Sequence, residues 1–476
     1  MSLSLFDSRS QSLLEFQPIK PGAVGIYLCG PTVQSSPHVG HLRSALVYDQ
    51  LRRWLTVKGL DVTLIRNVTD IDDKVLANAE ATGEQWWALA YRYEQEFSAA
   101  YSALAIATPT YEPRATASIP EMLQLIERLI AAGYAYQSEE GSADVYFAAS
   151  KWAKYGELTN QKIDDMVSGE ETDLRGKRDA RDFALWKATK PNEPSSASWD
   201  TRFGAGRPGW HIECSAMATK YLGANFDIHG GGLDLRFPHH ENELAQSTAA
   251  GDSFANIWLH NGLVNISGTK MSKSLGNSIF ARDLLAAGRP IAVRYYLGSA
   301  HYRSVLDYHE GVLEEAESAL DRIESFIDRA SRRIKETRFA AAENGTVFER
   351  LPLDFISAMD DDLSIPAALA VLHESVRAGN TAIDENDLEE VGRALSEVRA
   401  MLSTLGLNPA DSSWSTVDDA QAHKALDSII QGLISDRKAA REAKDFARAD
   451  AIRDQIQQAG IILEDAADST HWSLNG

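Results

Sequence analysis

One strand–turn–helix pattern near the start of the chain constrains its fold more than any other feature. An apolar, strand-like run leads to the sequence Pro-His-Val-Gly-His at 37–41, and an amphipathic pattern over 42–55 predicts a helix. In such a unit, backbone N–H groups and the positive helix end point toward a phosphate. Gly40 leaves room for a flat ring, and His38 and His41 lie on one side of a helical turn. The pattern predicts a nucleotide-binding α/β fold.

A second motif, Lys-Met-Ser-Lys-Ser at 270–274, places two lysines on a loop rich in serine and glycine. Taken alone, a short string of this kind usually forms a solvated loop. Because this motif occurs in the same chain as the first motif and C-terminal to it, the two together predict a phosphate site. Lys270 and Lys273 could stay close to the pyrophosphate and stabilise the negative charge that develops on it in the transition state.

Length and charge limit the class of protein. The chain has 476 residues, which predicts two to four domains, and 44% of its residues are hydrophobic. No apolar run reaches the roughly 20 residues that span a bilayer, and the first residues lack a secretory apolar segment, so we expect a cytoplasmic protein without a membrane partner. The net charge of −21 disfavours general affinity for nucleic acid, but such a partner needs only a local basic face.

The chain contains only two cysteines, Cys29 and Cys214. Simple burial is the default interpretation, and a disulfide is disfavoured in a reducing cytosol. Their positions favour metal binding. Cys29 ends the strand before the first motif, and Cys214 lies in the sequence Gly-Trp-His-Ile-Glu-Cys at 209–214.

The sequence Phe-Pro-His-His-Glu-Asn-Glu offers the remaining metal ligands. If Pro238 opens a helix, His239 and Glu243 are four residues apart and share a face. With two thiolates, this imidazole and this carboxylate form a set typical of zinc, with room for one more ligand. His240 and Glu241 compete for the same roles and remain alternatives.

Changes of pattern along the chain predict five segments. Strands and helices alternate in two stretches, as a nucleotide-binding fold requires, with a looser pattern between them. Leu, Ile and Ala at three- and four-residue spacing then predict helices. The segments are a first α/β half at 1–120, an insertion at 121–205, a second α/β half at 206–300, a helical bundle at 301–405 and a C-terminal domain at 406–476.

Six motifs together resemble those of the cysteinyl-tRNA synthetase family, which belongs to the class I aminoacyl-tRNA synthetases. They lie at 29–32, 67–74, 209–214, 226–234, 239–243 and 270–274, and the resemblance extends over residues 6–472. It implies a Rossmann-like α/β catalytic domain split by an insertion. An α-helical bundle and a small C-terminal α+β anticodon-binding domain would follow.

The resemblance also implies a role for each matching residue. The zinc ligands would be Cys29, Cys214, His239 and Glu243. The ATP site would contain His38, Gly40, His41, Asp234 and Lys273. The cysteine site would contain Cys29, Gly30, Thr69 and Trp210. The catalytic charges would come from His38, His41, Lys270 and Lys273.

The implied reaction has two steps. L-cysteine and ATP, with Mg²⁺, give cysteinyl-adenylate and pyrophosphate, and the cysteinyl group then passes to the 3′ end of tRNA(Cys). One Zn²⁺ would select the cysteine thiolate, whereas a hydrophobic pocket separates near-isosteres by only ~1–3 kcal/mol. The family expectation for the oligomeric state is a monomer.

A basic set near the C terminus is the candidate tRNA contact. Arg437, Arg441, Lys444 and Arg448 are spaced by four, three and four residues, which predicts one side of a single helix. The alternative is a solvated face paired with neighbouring carboxylates. An otherwise acidic chain, and the resemblance of this part to an anticodon-binding domain, favour tRNA binding. Trp472 could stack a base, worth ~1–3 kcal/mol, or fill a small core.

A second basic set lies in the insertion. It consists of Lys177, Arg178, Arg181 and Lys187. These side chains could approach the acceptor end of tRNA, or they could form a solvated surface around a buried Phe183 and Trp186.

Three other functions remain open from the sequence. A ligase that transfers cysteine to an amino-sugar would share the zinc site and both ATP motifs, but it would have no reason to carry residues 409–476. A simple nucleotidyltransferase would not need Cys214, His239 and Glu243. A non-enzymatic RNA-binding or zinc-stabilised scaffold would not need Lys273.

Overall fold

A computed structural model describes residues 2–161, 176–270, 278–335, 346–414, 417–465 and 470–474. The predicted ATP contact Lys273 lies outside these residues. Contacts divide the chain into two compact units, Met1–Pro409 and Ala410–Gly476, and each is described by itself. Among the described residues, no helix is long and apolar enough to cross a membrane.

The N-terminal part contains the predicted strand–turn–helix unit. Its elements are β1 (Ser4–Asp7), β2 (Ser12–Glu15), β3 (Ala23–Leu28), α1 (Val39–Val57), β4 (Asp61–Arg66), α2 (Asp73–Thr82) and α3 (Trp86–Ala103). The predicted strand and helix are confirmed as β3 and α1. Apolar residues along α1, such as Leu42, Leu46 and Trp54, are buried, which explains why this helix packs on the sheet.

The following part forms a small antiparallel sheet. Its elements are α4 (Ile119–Ala131), β5 (Ala135–Gln137), β6 (Val145–Phe147), β7 (Phe183–Ala188) and β8 (Gly206–Pro208), with strand order β5-β6-β7-β8. Trp186 of β7 is fully buried. Of the basic set here, Lys187 pairs with Asp73 at 2.6 Å and Arg178 with Glu139 at 2.8 Å. These ion pairs favour the solvated-surface interpretation of that set.

The α/β pattern then resumes. Its elements are α5 (Trp210–Leu222), β9 (Asn225–Gly232), α6 (Glu241–Ala249), β10 (Phe254–Asn261), β11 (Val264–Ile266), β12 (Thr269–Lys270), α7 (Ala281–Ala287), α8 (Pro290–Ser299) and β13 (Leu306–Tyr308). Lys270 therefore ends a strand that pairs with β11.

One parallel sheet joins the two α/β stretches. Its strand order is β10-β9-β3-β4, and β3 pairs with β9 through Ile26 and Ile228. Both residues are completely buried, as expected for a parallel sheet that is covered on both faces. The carboxyl ends of β3, β4 and β9 meet at one edge, where ligands bind in open α/β sheets.

A bundle of helices follows in the same unit. It contains α9 (Val312–Lys335), α10 (Leu353–Asp360), α11 (Ile365–Glu385) and α12 (Leu388–Leu405). Pro366 lies in the first turn of α11, where proline is well tolerated. The buried Arg294 of α8 links the bundle to the sheet domain, because it donates to Asp49 of α1 at 2.5 Å and to the carbonyl oxygen of Leu405 at 2.9 Å.

The C-terminal unit is a small α+β domain. It contains α13 (Val417–Glu442), α14 (Phe446–Gln458), β14 (Ile461–Asp465) and β15 (Thr470–Leu474). Trp472 packs against a core that includes Ile456 and Ile461, and its indole N–H donates to Asp427 at 2.9 Å. These contacts favour the core-filling interpretation of Trp472.

The predicted single-helix stripe of Arg437, Arg441, Lys444 and Arg448 is wrong. Helix α13 ends before Lys444, whose φ of 61° is left-handed and cannot continue a helix. Asp445 then caps α14 by accepting a hydrogen bond from the backbone N–H of Arg448 at 3.1 Å. Arg437 is buried, whereas the other three basic residues are exposed.

Candidate active site and metal centre

Two stacked histidines begin α1. His38 is the N-cap residue, and its backbone N–H donates to Nδ1 of His41 at 3.1 Å. The two ring centroids are 3.7 Å apart, so the predicted shared side is confirmed, and His41 also meets Phe97 at 4.9 Å. The first backbone N–H groups of the helix carry partial positive charge. Aromatic packing thus holds the imidazoles of His38 and His41 at the N-terminal end of α1, where a phosphate group can bind.

An open cavity of about 380 Å³ lies at the start of α1 and the ends of β3 and β9. The predicted site residues in its lining are Cys29, Gly30, His38, Gly40, His41, Trp210 and Asp234. Val264 of β11 also lines it, so the hairpin that ends at Lys270 begins at the cavity. Thr69, by contrast, is buried and is not part of the lining.

Four buried side chains converge behind the cavity wall. Sγ of Cys29 lies 3.6 Å from Sγ of Cys214 and 3.2 Å from Oε1 of Glu243. Nε2 of His239 lies 3.0 Å from the same carboxylate oxygen, consistent with the predicted four-residue spacing. All four candidate ligand atoms lie within 4.8 Å of one another. Cys29 belongs to both this cluster and the cavity lining, so the cluster reaches the cavity there.

Without a bound cation, burial keeps the two thiols protonated and the imidazole of His239 neutral. Burial raises the pKa of the Cys29 thiol well above its ordinary value and that of Cys214 to about 11. Burial lowers the pKa of His239, so its imidazole is neutral and has a lone pair to donate. A metal ion bound here would displace the thiol protons. Two sulfurs, one imidazole and one carboxylate form a donor set that fits Zn²⁺.

Neighbouring side chains orient the candidate ligands. Nε2 of His229 lies 2.8 Å from Oε2 of Glu243, and Nδ1 of His211 lies 3.0 Å from Nδ1 of His239. The ring of Trp210 stacks on His239 at 4.1 Å. Partners of this kind fix the direction in which a ligand's donor atom points. The sequence analysis did not predict a role for His229 or His211. Both could have been considered, because His211 lies in the motif at 209–214 and His229 lies in the motif at 226–234.

The two alternative ligands have other partners. Nδ1 of His240 lies 2.8 Å from Nε2 of His260. Glu241 accepts hydrogen bonds from the backbone N–H groups of Gly156 at 2.8 Å and Thr159 at 2.9 Å, and so holds that loop. A second set also lies within 4.8 Å; it consists of Cys29, His229, His240 and Glu243. The first set has two sulfur atoms and therefore matches zinc better.

A buried chain of hydrogen bonds connects the segments that carry the two cysteines. The backbone N–H of Gly30 donates to Oδ1 of Asn67 at 2.8 Å, and Nδ2 of Asn67 donates to Oγ1 of Thr69 at 3.2 Å. Oγ1 of Thr69 in turn donates to Oε2 of Glu213 at 2.9 Å. Gly30 follows Cys29 and Glu213 precedes Cys214, so the chain links both sulfur-bearing segments. Sequence reasoning missed Glu213 because its partners are remote in the sequence.

Three family models match the chain. The model of the tRNA synthetases class I (C) catalytic domain matches residues 15–318, and that of the DALR domain matches residues 354–408. The model of the cysteinyl-tRNA ligase anticodon binding domain matches residues 423–472.

Curated relatives match over the full length. A cysteine–tRNA ligase of Clavibacter sepedonicus is 62% identical over 483 residues, and one of Leifsonia xyli subsp. xyli is 59% identical over 479 residues. Each alignment covers 100% of this chain and 100% of the relative.

Two solved structures show the same fold at low sequence identity. Mycobacterium tuberculosis methionyl-tRNA synthetase in complex with methionyl-adenylate has a TM-score of 0.57 at 16% identity, covering 81% of this chain and 90% of that one. The LeuRS–tRNA–LeuAMS ternary complex of Agrobacterium radiobacter K84 has a TM-score of 0.59 at 12% identity, covering 85% and 88%.

Proposed function

The chain belongs to the cysteinyl-tRNA synthetase family, and we propose that one Zn²⁺, bound by Cys29, Cys214, His239 and Glu243, selects its substrate. The protein activates L-cysteine with ATP and transfers the cysteinyl group to the 3′ end of tRNA(Cys). One observation carries this function: 62% identity to a cysteine–tRNA ligase over both full chains. The anticodon-binding model at residues 423–472 agrees with it.

The first step is a displacement at phosphorus. A carboxylate oxygen of cysteine attacks the α-phosphorus of ATP, the bond to the bridging oxygen breaks, and pyrophosphate leaves. Mg²⁺ bound with the nucleotide would offset part of the negative charge of its phosphates. No protein nucleophile is required. His38 and His41, at the positive end of α1, hold the phosphates, and Gly40 allows the nucleotide to approach the backbone. Lys270 and Lys273 meet the charge that develops on the pyrophosphate.

The cysteine substrate lies between the metal cluster and the nucleotide. Cys29 supports this placement, because it belongs to the cluster and lines the cavity. Trp210, stacked on His239, forms the adjacent wall. The exposed Asp234 also lines the cavity, and we assign it to the ribose of ATP. When bound, Zn²⁺ supplies a position for a thiolate that the far less acidic serine hydroxyl does not match. Gly30 and the buried Thr69 maintain the backbone beside this position.

The second step transfers the amino acid to RNA. A hydroxyl group of the terminal ribose attacks the carbonyl carbon of the adenylate, loses its proton, and AMP leaves. We assign tRNA contacts in the C-terminal unit to Arg441, Lys444 and Arg448, which are exposed there. The buried Arg437 makes no such contact in this proposal. These substrates place the reaction in the cytoplasm.

Two measurements test the proposal. Purified protein should charge tRNA(Cys) with cysteine and leave an amino-sugar acceptor unmodified, and it should contain one zinc per chain when purified without chelator. Transfer to the amino-sugar would assign the chain to the rival ligase activity. Charging of tRNA by a preparation that contains no zinc would refute the metal proposal and leave the aminoacylation function standing.

A further inference from the structure

Two further imidazoles lie beside the four proposed zinc ligands. With two of those ligands they form a second donor set, in which one donor atom of each residue lies within 4.8 Å of the others. This second donor set consists of Cys29, His229, His240 and Glu243. Both histidines are completely buried, and their ring centroids are 4.7 Å apart. The two sets therefore share one sulfur atom and one carboxylate.

The shared carboxylate of Glu243 presents one oxygen to each set. Oε1 lies 3.2 Å from Sγ of Cys29, and Oε2 lies 2.8 Å from Nε2 of His229. Donor atoms around one tetrahedral zinc ion are about 3.3–3.8 Å apart, since the bonds are about 2.0–2.3 Å long. Small shifts would let an ion enter at Oε2 while Oε1 binds the first ion. Enzymes with two bound metal ions hold them about 3.5–4 Å apart, a separation that a carboxylate with one oxygen on each ion can span.

One nitrogen atom of the second donor set is buried without a hydrogen-bond partner. Nδ1 of His240 lies 2.8 Å from Nε2 of His260, whereas Nε2 of His240 has no partner among the described residues. A buried polar atom left in this state costs about 1–3 kcal/mol. Space exists beside it, because a Cβ atom at Gly231 would lie only 3.0 Å from this nitrogen and glycine has none. Nε2 of His240 is thus available to a ligand that enters the cluster.

The outer partners of His240 can leave a lone pair on that nitrogen. Nδ1 of His260 lies 2.8 Å from Oγ of Ser8. If His240 donates its Nδ1–H to His260, and His260 donates to the hydroxyl oxygen of Ser8, Nε2 of His240 carries the lone pair. Histidines that bind metals usually donate their other N–H to a neighbouring group, which orients the ring. His240 and its two outer partners are arranged in this way.

We propose that the second donor set binds a second Zn²⁺, more weakly than the first set binds its own. The proposal rests on the first zinc site of the proposed function, because the two ions would share Cys29 and Glu243. A thiolate, two imidazoles and a carboxylate are all donors that bind Zn²⁺. The second ion is held less tightly because the anionic donors are shared and two dications at close range repel each other. It binds only when free zinc is well above the concentration that fills the first site.

Equilibrium dialysis of the full-length protein against zinc buffers tests the number of bound ions. Bound zinc per chain, measured by mass spectrometry, should rise to about one and then, at higher free zinc, to about two. His240→Asn removes a donor that belongs only to the second donor set. This variant should keep the first step, which also shows that it folds, and lose the second. His260→Gln removes only an outer partner, so it should weaken the second step by roughly 10–100-fold.

Cobalt identifies the donors of the second ion. Co²⁺ added to protein that already holds one zinc should produce a thiolate-to-cobalt charge-transfer band without releasing that zinc. The chain contains only two cysteines, and both belong to the metal cluster, so cobalt on surface carboxylates gives no such band. The band should be absent in His240→Asn.

His309→Asn is the matched control, because it removes an exposed histidine that belongs to neither set. It should keep both zinc steps and the cobalt band. A second step that persists in His240→Asn, or cobalt that binds wild-type protein without the sulfur band, would mean an adventitious ion only and would overturn the proposal. Absence of the first, tight step in the wild type would refute the first zinc site, which is a separate result.

Discussion

At the scale of single residues, the two oxygens of Glu243 have different partners. Oε1 faces Cys29 and His239, whereas Oε2 lies 2.8 Å from Nε2 of His229. Oε1 can therefore bind the metal ion while the contact of Oε2 with His229 holds the carboxylate in place. Its neighbour Glu241 is also buried, but its carboxylate holds the backbone of Gly156 and Thr159.

These two glutamates provide a matched pair of variants. Glu243→Gln should lower the zinc affinity by more than the roughly 10–100-fold that follows loss of an outer partner, because it removes a ligand and its charge. Glu241→Gln should retain full zinc content. Zinc is measured by atomic absorption after dialysis against a competing chelator. Greater zinc loss in Glu241→Gln than in Glu243→Gln would show that Glu241, and not Glu243, is the zinc ligand.

Glu213 offers a second prediction at this scale. Glu213→Ala leaves the hydroxyl of Thr69 without its acceptor, and an orphaned buried donor costs roughly 1–3 kcal/mol. We expect this loss mainly as a higher KM for cysteine in pyrophosphate exchange, since the chain of hydrogen bonds ends at Gly30 in the cavity lining. Glu213→Gln keeps an acceptor oxygen and should restore most of the affinity.

A purely structural role would give a different result. Both Glu213 variants would then lower the melting temperature while the KM for cysteine stayed at the wild-type value. Thr69→Ser and Thr69→Val extend the comparison. Serine keeps the hydroxyl group and should resemble the wild type, and valine should resemble Glu213→Ala.

Local spacing explains which site residues could be predicted from the sequence. His239 and Glu243 could be paired in advance, because residues four apart share one helical face. Their partners His229 and His211 come from β9 and α5, and no local period relates them to α6. The contacts depend on how the parallel strands and their helices pack. Sequence alone therefore predicts donor sets within one element better than the contacts that orient them.

At the scale of elements, the mistaken basic stripe has a local cause. A spacing of four, three and four residues holds only while the helix continues, and here Lys444 adopts a left-handed conformation. Asp445 is a typical N-cap residue, and its position before Phe446 was the available signal for a new helix. An N-cap residue within a periodic pattern predicts a helix boundary at that residue, even where the spacing of the basic residues continues past it.

The bundle provides an element-scale prediction in the packing of α9 on α11. A Cβ atom at Gly379 would lie well inside contact distance of the ring of Phe326, and 3.0 Å from Cβ of Ala394. Phe326 is fully buried and has no room to move. Gly379→Ala should lower the free energy of unfolding by about 1–3 kcal/mol, as overpacking typically does. Equilibrium unfolding in urea measures this difference in the free energy of unfolding between the variant and the wild type.

Gly392 is the control for that substitution. It lies inside α12, but an added Cβ would meet only Cδ1 of Ile334 at an ordinary 3.7 Å. Gly392→Ala should therefore be neutral or stabilise the fold by up to about 1 kcal/mol, through the higher helix propensity of alanine. If both variants lose equal stability, helix packing at Gly379 is not the cause.

At the scale of the whole molecule, an ion-pair cluster connects the N-terminal α/β part to the inserted sheet. Asp73 of α2 accepts from Lys187 at 2.6 Å, from Lys190 at 3.1 Å and from the buried Arg207. Arg207 also pairs with Glu193 at 2.7 Å. The insertion is thereby anchored to the catalytic fold through one carboxylate. The sequence could not reveal this, because the partners of Asp73 are far from it along the chain.

The charge of Asp73 makes this anchor dependent on pH. Burial alone would raise the pKa of Asp73, but Lys187, Arg207 and Lys190 outweigh it and hold the pKa well below its usual range. A carboxyl group with a depressed pKa stabilises the folded state above its unfolded pKa of about 3.9, and this contribution declines as the pH falls below that value. Asp73→Asn should therefore lower stability by the same amount at pH 7 and pH 5, and by less at about pH 3.5.

Urea unfolding of both proteins at each pH measures that difference. A double variant with Lys187→Met should lose less stability than the two single variants together, because each removes the same interaction. A difference that persists undiminished at the lowest pH would mean that the charge of Asp73 is not what stabilises the fold. Additive losses would mean that Lys187 acts independently.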